Sequence, residues 1–170
     1  MPASVNHYTF DGVRVVVDTP LSFEEVLERL RAQMGQVTAP DVIALAKGPI
    51  SEIDYIQLVS ERYVGESGFM LFAEIDHGGW LPVFGIHRRT TRWILGNPLI
   101  AVTMIRHDIT AGLFAPVELL VTENADGQGT GVVYVRPSSL MVITDNPPLR
   151  EAALALDVKF DALVARATAR

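Results

Sequence analysis

Apolar residues recur along this chain with two periods, and the switches between them mark its elements. Val13, Val15 and Val17 alternate with Arg14, Val16 and Asp18, a period of two that predicts a strand with one better-buried face. Thr9-Phe10 and this run flank Asp11-Gly12, a turn pair that predicts a hairpin. The period then lengthens. Phe23, Val26, Leu27, Leu30 and Met34 share one helical face. Ser22 supplies its N-cap, Glu25 completes a capping box, and Gly35 ends the helix.

Between residues 37 and 68 the pattern predicts two further helices. Pro40-Asp41 opens the first and Gly48-Pro49 closes it; Ser51 with Asp54 caps the second, which carries Ile53, Ile56 and Val59. Residues 69–75 are apolar enough for a buried strand, ending in Asp76-His77 and broken by Gly78-Gly79, with a turn or short helix over 80–84. Residues 90–95 read as another strand. Asn97 suits an N-cap and Pro98 the first helical position, so residues 99–107 read as a helix despite their β-branched content. Residues 117–122 and 130–135 are strands joined by a Gly-containing loop, and Pro137 ends the second. From Asn146-Pro147 a last helix repeats Leu149, Ala153, Leu156, Phe160 and Leu163 at steps of four and three. Hairpins without regular strand-helix alternation predict an α+β fold: a two-layer antiparallel sheet with helices packed on one face.

Composition narrows the function classes. At 170 residues, 49% hydrophobic and 20% charged, the chain suits one globular domain. A net charge of −6 argues against nucleic acid as a partner, since phosphate backbones need an excess of Lys and Arg. No apolar run approaches the ~20 residues of a membrane span, so no membrane partner is expected. The opening ten residues show no leader pattern, and a cytoplasmic location is the default expectation. With no cysteine, thiol chemistry and thiolate metal sites are excluded.

Two clusters could carry chemistry. Asp76-His77 ends a strand beside two glycines, where a carboxylate next to an imidazole can poise it for proton transfer, with Glu74 nearby in sequence. Adjacent strand residues point to opposite faces, so a turn-capping Asp76 and a structurally bonded His77 are the commoner outcome. Gly96-Asn97-Pro98 is a strand-to-helix turn whose free N–H groups would favour an anion, with Arg88, Arg89 and Arg92 just before it. Backbone needs alone also explain that turn. His77, His87 and His107 with Glu74, Asp76 and Asp108 have metal-binding chemistry but no recognised ligand spacing, so no metal is expected. No phosphate-binding loop or dinucleotide fingerprint occurs, so no cofactor is expected. Ser138-Ser139 and Thr90-Thr91 lack a nucleophile elbow. Trp80, Trp93 and Phe84 suit a pocket lining or, more commonly, a core.

Several stretches in order and spacing are similar to the bacterial and archaeal family called domain of unknown function 302. They are Phe72-Ala73-Glu74-Ile75-Asp76-His77, Ile94-Leu95-Gly96-Asn97-Pro98, the run from Leu113-Phe114-Ala115-Pro116 to Val121, the Gly127 hairpin, and Val133-Tyr134-Val135-Arg136-Pro137. The resemblance implies a small α+β fold of the TATA-box-binding-protein-like kind and a homodimer, and supplies no reaction. The chain departs from the family in two places. A helical insertion at about 37–68 extends an otherwise single domain over 1–170, and Leu99-Ile100-Ala101-Val102-Thr103 replaces the usual stretch after Gly-Asn-Pro. The insertion could cover a pocket or extend a dimer interface.

The leading expectation is therefore a homodimeric binding domain for a small anionic or partly apolar molecule. Its cleft would lie between the Asp76-His77 strand end and the Gly96-Asn97-Pro98 turn, with Arg92, Glu74 and Trp80 as further ligand contacts. The second expectation is an enzyme using His77 as general acid or base with Asp76 in support. The third is an interaction dimer whose cleft is filled by its own side chains.

Overall fold

Six strands, β1 (Arg14–Thr19), β2 (Gly35–Gln36), β3 (Met70–Asp76), β4 (Thr90–Gly96), β5 (Val117–Glu123) and β6 (Thr130–Val135), form one sheet in the order β1-β6-β5-β4-β3-β2. The computed structural model describes residues 3–170; Met1 and Pro2, part of the opening stretch read as lacking a leader pattern, lie outside the described residues. Every pairing is antiparallel except the short edge strand β2, which runs parallel to β3. The α-helices are α1 (Phe23–Ala32), α2 (Ala39–Leu45), α3 (Glu52–Arg62), α4 (Pro98–Ile105), α5 (Pro137–Met141) and α6 (Pro147–Thr168), with short 3-10 turns at Leu81–Phe84 and Ile109–Phe114. The chain is thus mixed α+β, with helices on one side of an open sheet.

The period-two and period-3.6 faces meet in one main core. Trp93, Leu95, Leu119, Val121 and Val132 face the helices and are buried. Against them α1 sets Val26 and Leu30, and α6 sets Leu149, Ala153, Leu156, Phe160 and Leu163, none more than 3% exposed. Phe160 packs between Phe69 and Tyr134, with ring centroids at 6.0 and 4.6 Å. A smaller second core, Val42, Val59 and Met70, gathers α2 and α3 against the start of β3.

Among the described residues no α-helix packs on the other face of the sheet. Register places Ile94, Leu120, Val133 and Val16 there, the first three half-buried by their neighbours and Val16 56% exposed.

Local expectations needed three corrections. No hairpin forms about Asp11-Gly12, because β1 takes β6 as its partner along its whole length. Ser22 caps α1, its hydroxyl accepting from Glu25 N at 3.2 Å. Glu25 does not close the box; its carboxylate accepts from Arg29 at 2.7 Å. Gly35 does not end α1 either. It lies in β2, where an added Cβ would collide with the carbonyl of Tyr63.

Candidate functional site

The β4–α4 turn is built by side chains that bond to backbone. Gly96 sits where a Cβ would lie 2.9 Å from the Phe72 ring and 3.1 Å from Pro116 Cβ, so only glycine allows that approach. Asn97 is buried. Its amide Nδ2 donates to the Gly68 carbonyl at 2.9 Å and its Oδ1 accepts from Leu99 N at 2.8 Å. The Asn97 carbonyl accepts from Ile100 N and Ala101 N at 3.0 and 2.9 Å, and Pro98 has no N–H. The first turn of α4 therefore has no donor left for an anion.

Behind this turn lies a cavity of about 220 Å³. Gly96, Asn97 and Pro98 form one wall, continued along α4 by Ile100, Ala101 and Met104. Phe69 just before β3, Phe72 within it, residues 115–117 at the start of β5, and Leu156 of α6 form the next. The remaining side is flanked by Ala39, Val42 and Ile43 of α2 and Tyr55 of α3 and is partly open to solvent. Asn97 and Tyr55 are the two lining residues with polar side-chain groups, and the Asn97 amide is already committed. What the cavity offers is dispersion contact.

The other expected site residues do not converge on it. β3 and β4 pair antiparallel, Met70 opposite Gly96 and Asp76 opposite Thr91. Asp76-His77 therefore lies at the far end of the strand pair from the turn, about 20 Å away at ~3.4 Å per residue. The expected cleft between them cannot exist in this topology. Asp76 Oδ1 accepts from Gly79 N at 3.1 Å and caps its own turn. The His77 carbonyl accepts from Trp80 N and Leu81 N, while its buried Nδ1 has no partner among the described residues. Its ring meets Trp80 edge-on at 5.7 Å. Asp76 and His77 share no hydrogen bond among the described residues, so the supported general base is not assembled.

Each charged candidate is paired elsewhere. Glu74 accepts from Arg31 at 2.8 Å on the helix side, where the Arg31 guanidinium also stacks over the Trp93 ring at 5.0 Å. Arg92 lies on the open sheet face and pairs with Glu118. Arg88 Nε donates to the Glu123 carbonyl at 2.6 Å, and Arg89 bridges Glu123 and Glu24. The Arg89 hydrogen bonds hold the Glu123 carboxyl below its ordinary range. Asp108 is likewise lowered by hydrogen bonds from Thr110. Trp80 is 49% exposed, meets Phe84 edge-on, and does not line the cavity. Trp93 is core. Among the described residues no three His, Asp or Glu side chains gather closely enough to hold a metal ion.

Sequence reasoning thus placed Gly96, Asn97 and Pro98 at the cavity and missed Tyr55, Val42, Phe72, Ala101 and Met104. One signal was available. α4 reads PLIAVTMI, apolar but for Thr103, and so apolar a helix has more than one side to bury: Met104 enters the core while Ile100 and Ala101 face the cavity.

A family model described as domain of unknown function DUF302 matches residues 54–167. The match begins inside α3, so the α2 wall of the cavity precedes it while Tyr55 falls within it. Among solved structures, the crystal structure of an uncharacterized conserved protein DUF302 from Bacillus stearothermophilus aligns at a TM-score of 0.62. That alignment covers 91% of this chain and 97% of the other at 18% identity, a likeness of fold. No curated protein matches the chain.

Proposed function

The chain belongs to the DUF302 family of domains of unknown function, and we propose that its cavity receives a small, largely apolar molecule. The observation that carries this reading is the composition of the walls: about 220 Å³ lined by Val, Ile, Phe, Met, Leu, Ala and Pro side chains, with the Asn97 amide committed to backbone. An enclosed apolar cavity of about 150 Å³ accepts benzene, and this partly open one of about 220 Å³ has room for a substituted benzene or a branched chain of similar size. An anion is disfavoured, because no cationic side chain lines the cavity and desolvating an unpaired charge is costly. In this reading the 37–68 segment serves as the cover, supported by the α2 and α3 side chains in the wall.

The same proposal makes the domain a homodimer. Its support is the sheet face without helices, where Leu120, Val133 and Val16 present apolar surface and the Arg92–Glu118 pair leaves no unbalanced charge between these two residues.

Titration with isopropylbenzene, followed by thermal denaturation, tests the cavity. At a hundred times Kd a single-site ligand adds about 2.7 kcal/mol, a rise of about 5–10 °C for a domain of this size. Ala101→Phe, whose ring would occupy the cavity, should abolish that rise. An equal rise in wild type and Ala101→Phe would place the binding elsewhere and end the proposal.

A further inference from the structure

Tyr55 belongs to two hollows at once. It flanks the cavity from α3, and it also lines an open groove between α3, α4 and α6, flanked by Leu99, Val102 and Ala152. Pro98 is the other residue on both linings, so Tyr55 and Pro98 form the partition between the groove and the cavity. Pro98 has no side-chain polar group, which leaves the Tyr55 phenol as the one polar side-chain group in that partition.

Among the described residues the Tyr55 hydroxyl also has no hydrogen-bond partner. Burial alone raises its pKa above the ordinary phenol value, with no hydrogen bond or neighbouring charge contributing. At neutral pH it is a protonated donor. The Tyr55 side chain is only partly buried, so its hydroxyl is open to water when no ligand is bound, and a ligand oxygen at the partition would take over that hydrogen bond while its apolar body fills the cavity. Because the Asn97 amide is bonded on both of its ends, nothing else in the lining competes for that oxygen.

We infer that Tyr55 is the polar anchor of the cavity, selecting a small neutral molecule with an apolar body and one carbonyl or ether oxygen directed at the partition with the groove. This rests on the cavity being a binding site, as proposed above, and adds the chemical class of the ligand and the residue that reads it. A carboxylate would not serve as well, because one phenol cannot replace the hydration of a full charge.

Two nearly isosteric probes separate the claims: acetophenone, which carries the oxygen, and isopropylbenzene, which has a methyl group in its place. Dissociation constants are measured for wild type and Tyr55→Phe, a substitution that keeps the ring and removes only the hydroxyl. The expected result is a loss of about fivefold to tenfold in acetophenone affinity, with isopropylbenzene affinity unchanged within about twofold. The hydrocarbon serves as the control that the variant folds and keeps its cavity. If both probes bind and Tyr55→Phe affects them equally, Tyr55 is no anchor and the inference fails while the cavity reading stands. If neither probe binds wild type, both readings fall together.

Discussion

Tyr134 shows how one side chain can set a pH limit on the fold. Its hydroxyl donates to Asp161, which also accepts from Arg136 at 3.1 Å. Burial first, and the Asp161 carboxylate second, push the phenol far above its ordinary value of 10.0. The folded protein therefore keeps a proton that the unfolded chain releases above about pH 10, so unfolding gains with rising pH there. Tyr134→Phe should lose about 1 kcal/mol at neutral pH and show a flatter decline between about pH 10 and 12, read from urea unfolding at a series of pH values. Single residues were also where the sequence misled. Ile53 and Ile56 have helical spacing, yet they are 77% and 44% exposed, while Val59 is buried and Tyr55 faces the cavity. A half-apolar helix offers more than one face, and which one turns inward depends on partners in Met70 and Phe72 that lie well along the chain. Asp76-His77 failed for a different reason. Adjacency in sequence is not contact on a strand.

At the scale of elements, sequence signals were strong wherever the chemistry was local. Ser22, Ser51, Asn97 and Asn146 all act as N-caps where the cap residues predicted helix starts. The five apolar positions of α6 are all buried. Strand pairing was the illegible part, because register and neighbour order depend on residues far apart. That is why the distance between the Asp76 end and the Gly96 end was misjudged, and with it the cleft. The β4–α4 junction concentrates both kinds of information, and Asn97 is its hinge pin. Asn97→Ala removes the cap on Leu99 N and strands the Gly68 carbonyl. The expected cost is about 2 kcal/mol, measured by urea unfolding. Asn97→Asp keeps an acceptor for Leu99 but sets a carboxylate oxygen against the Gly68 carbonyl in a buried site, so it should cost at least as much as Asn97→Ala.

For the molecule as a whole, the uneven distribution of helices is the feature with the largest consequence for assembly. One side of the sheet is covered by α1 and α6, and no α-helix among the described residues packs on the other. A standard stable interface buries about 800 Å² per partner; five paired strands at ~4.8 Å spacing and ~20 Å length present about 480 Å² of flat area, so the dimer would draw the remainder from the rims of the face. Leu120→Glu puts a charge at the middle of this face, opposite Arg92 and Val133. Sedimentation velocity should show a dimer for wild type and a monomer for the variant, with unchanged far-UV circular dichroism. A wild-type monomer at tens of micromolar would remove the dimer from the proposal.

The two apolar cores meet at the cavity. Phe69, Met104 and Leu156 on its wall belong to the main cluster, and Val42, Tyr55 and Phe72 belong to the small one formed by α2 and α3. The cavity is thus a seam between two bodies of unequal size, and the smaller body has little buried surface of its own to hold it closed. Such a body is expected to open ahead of global unfolding, so hydrogen exchange should reach its amides before those of β4 and α6. The guest proposed for this cavity would touch both sides and act as mortar, slowing that opening and converting occupancy of one small hollow into the rigidity of two helices.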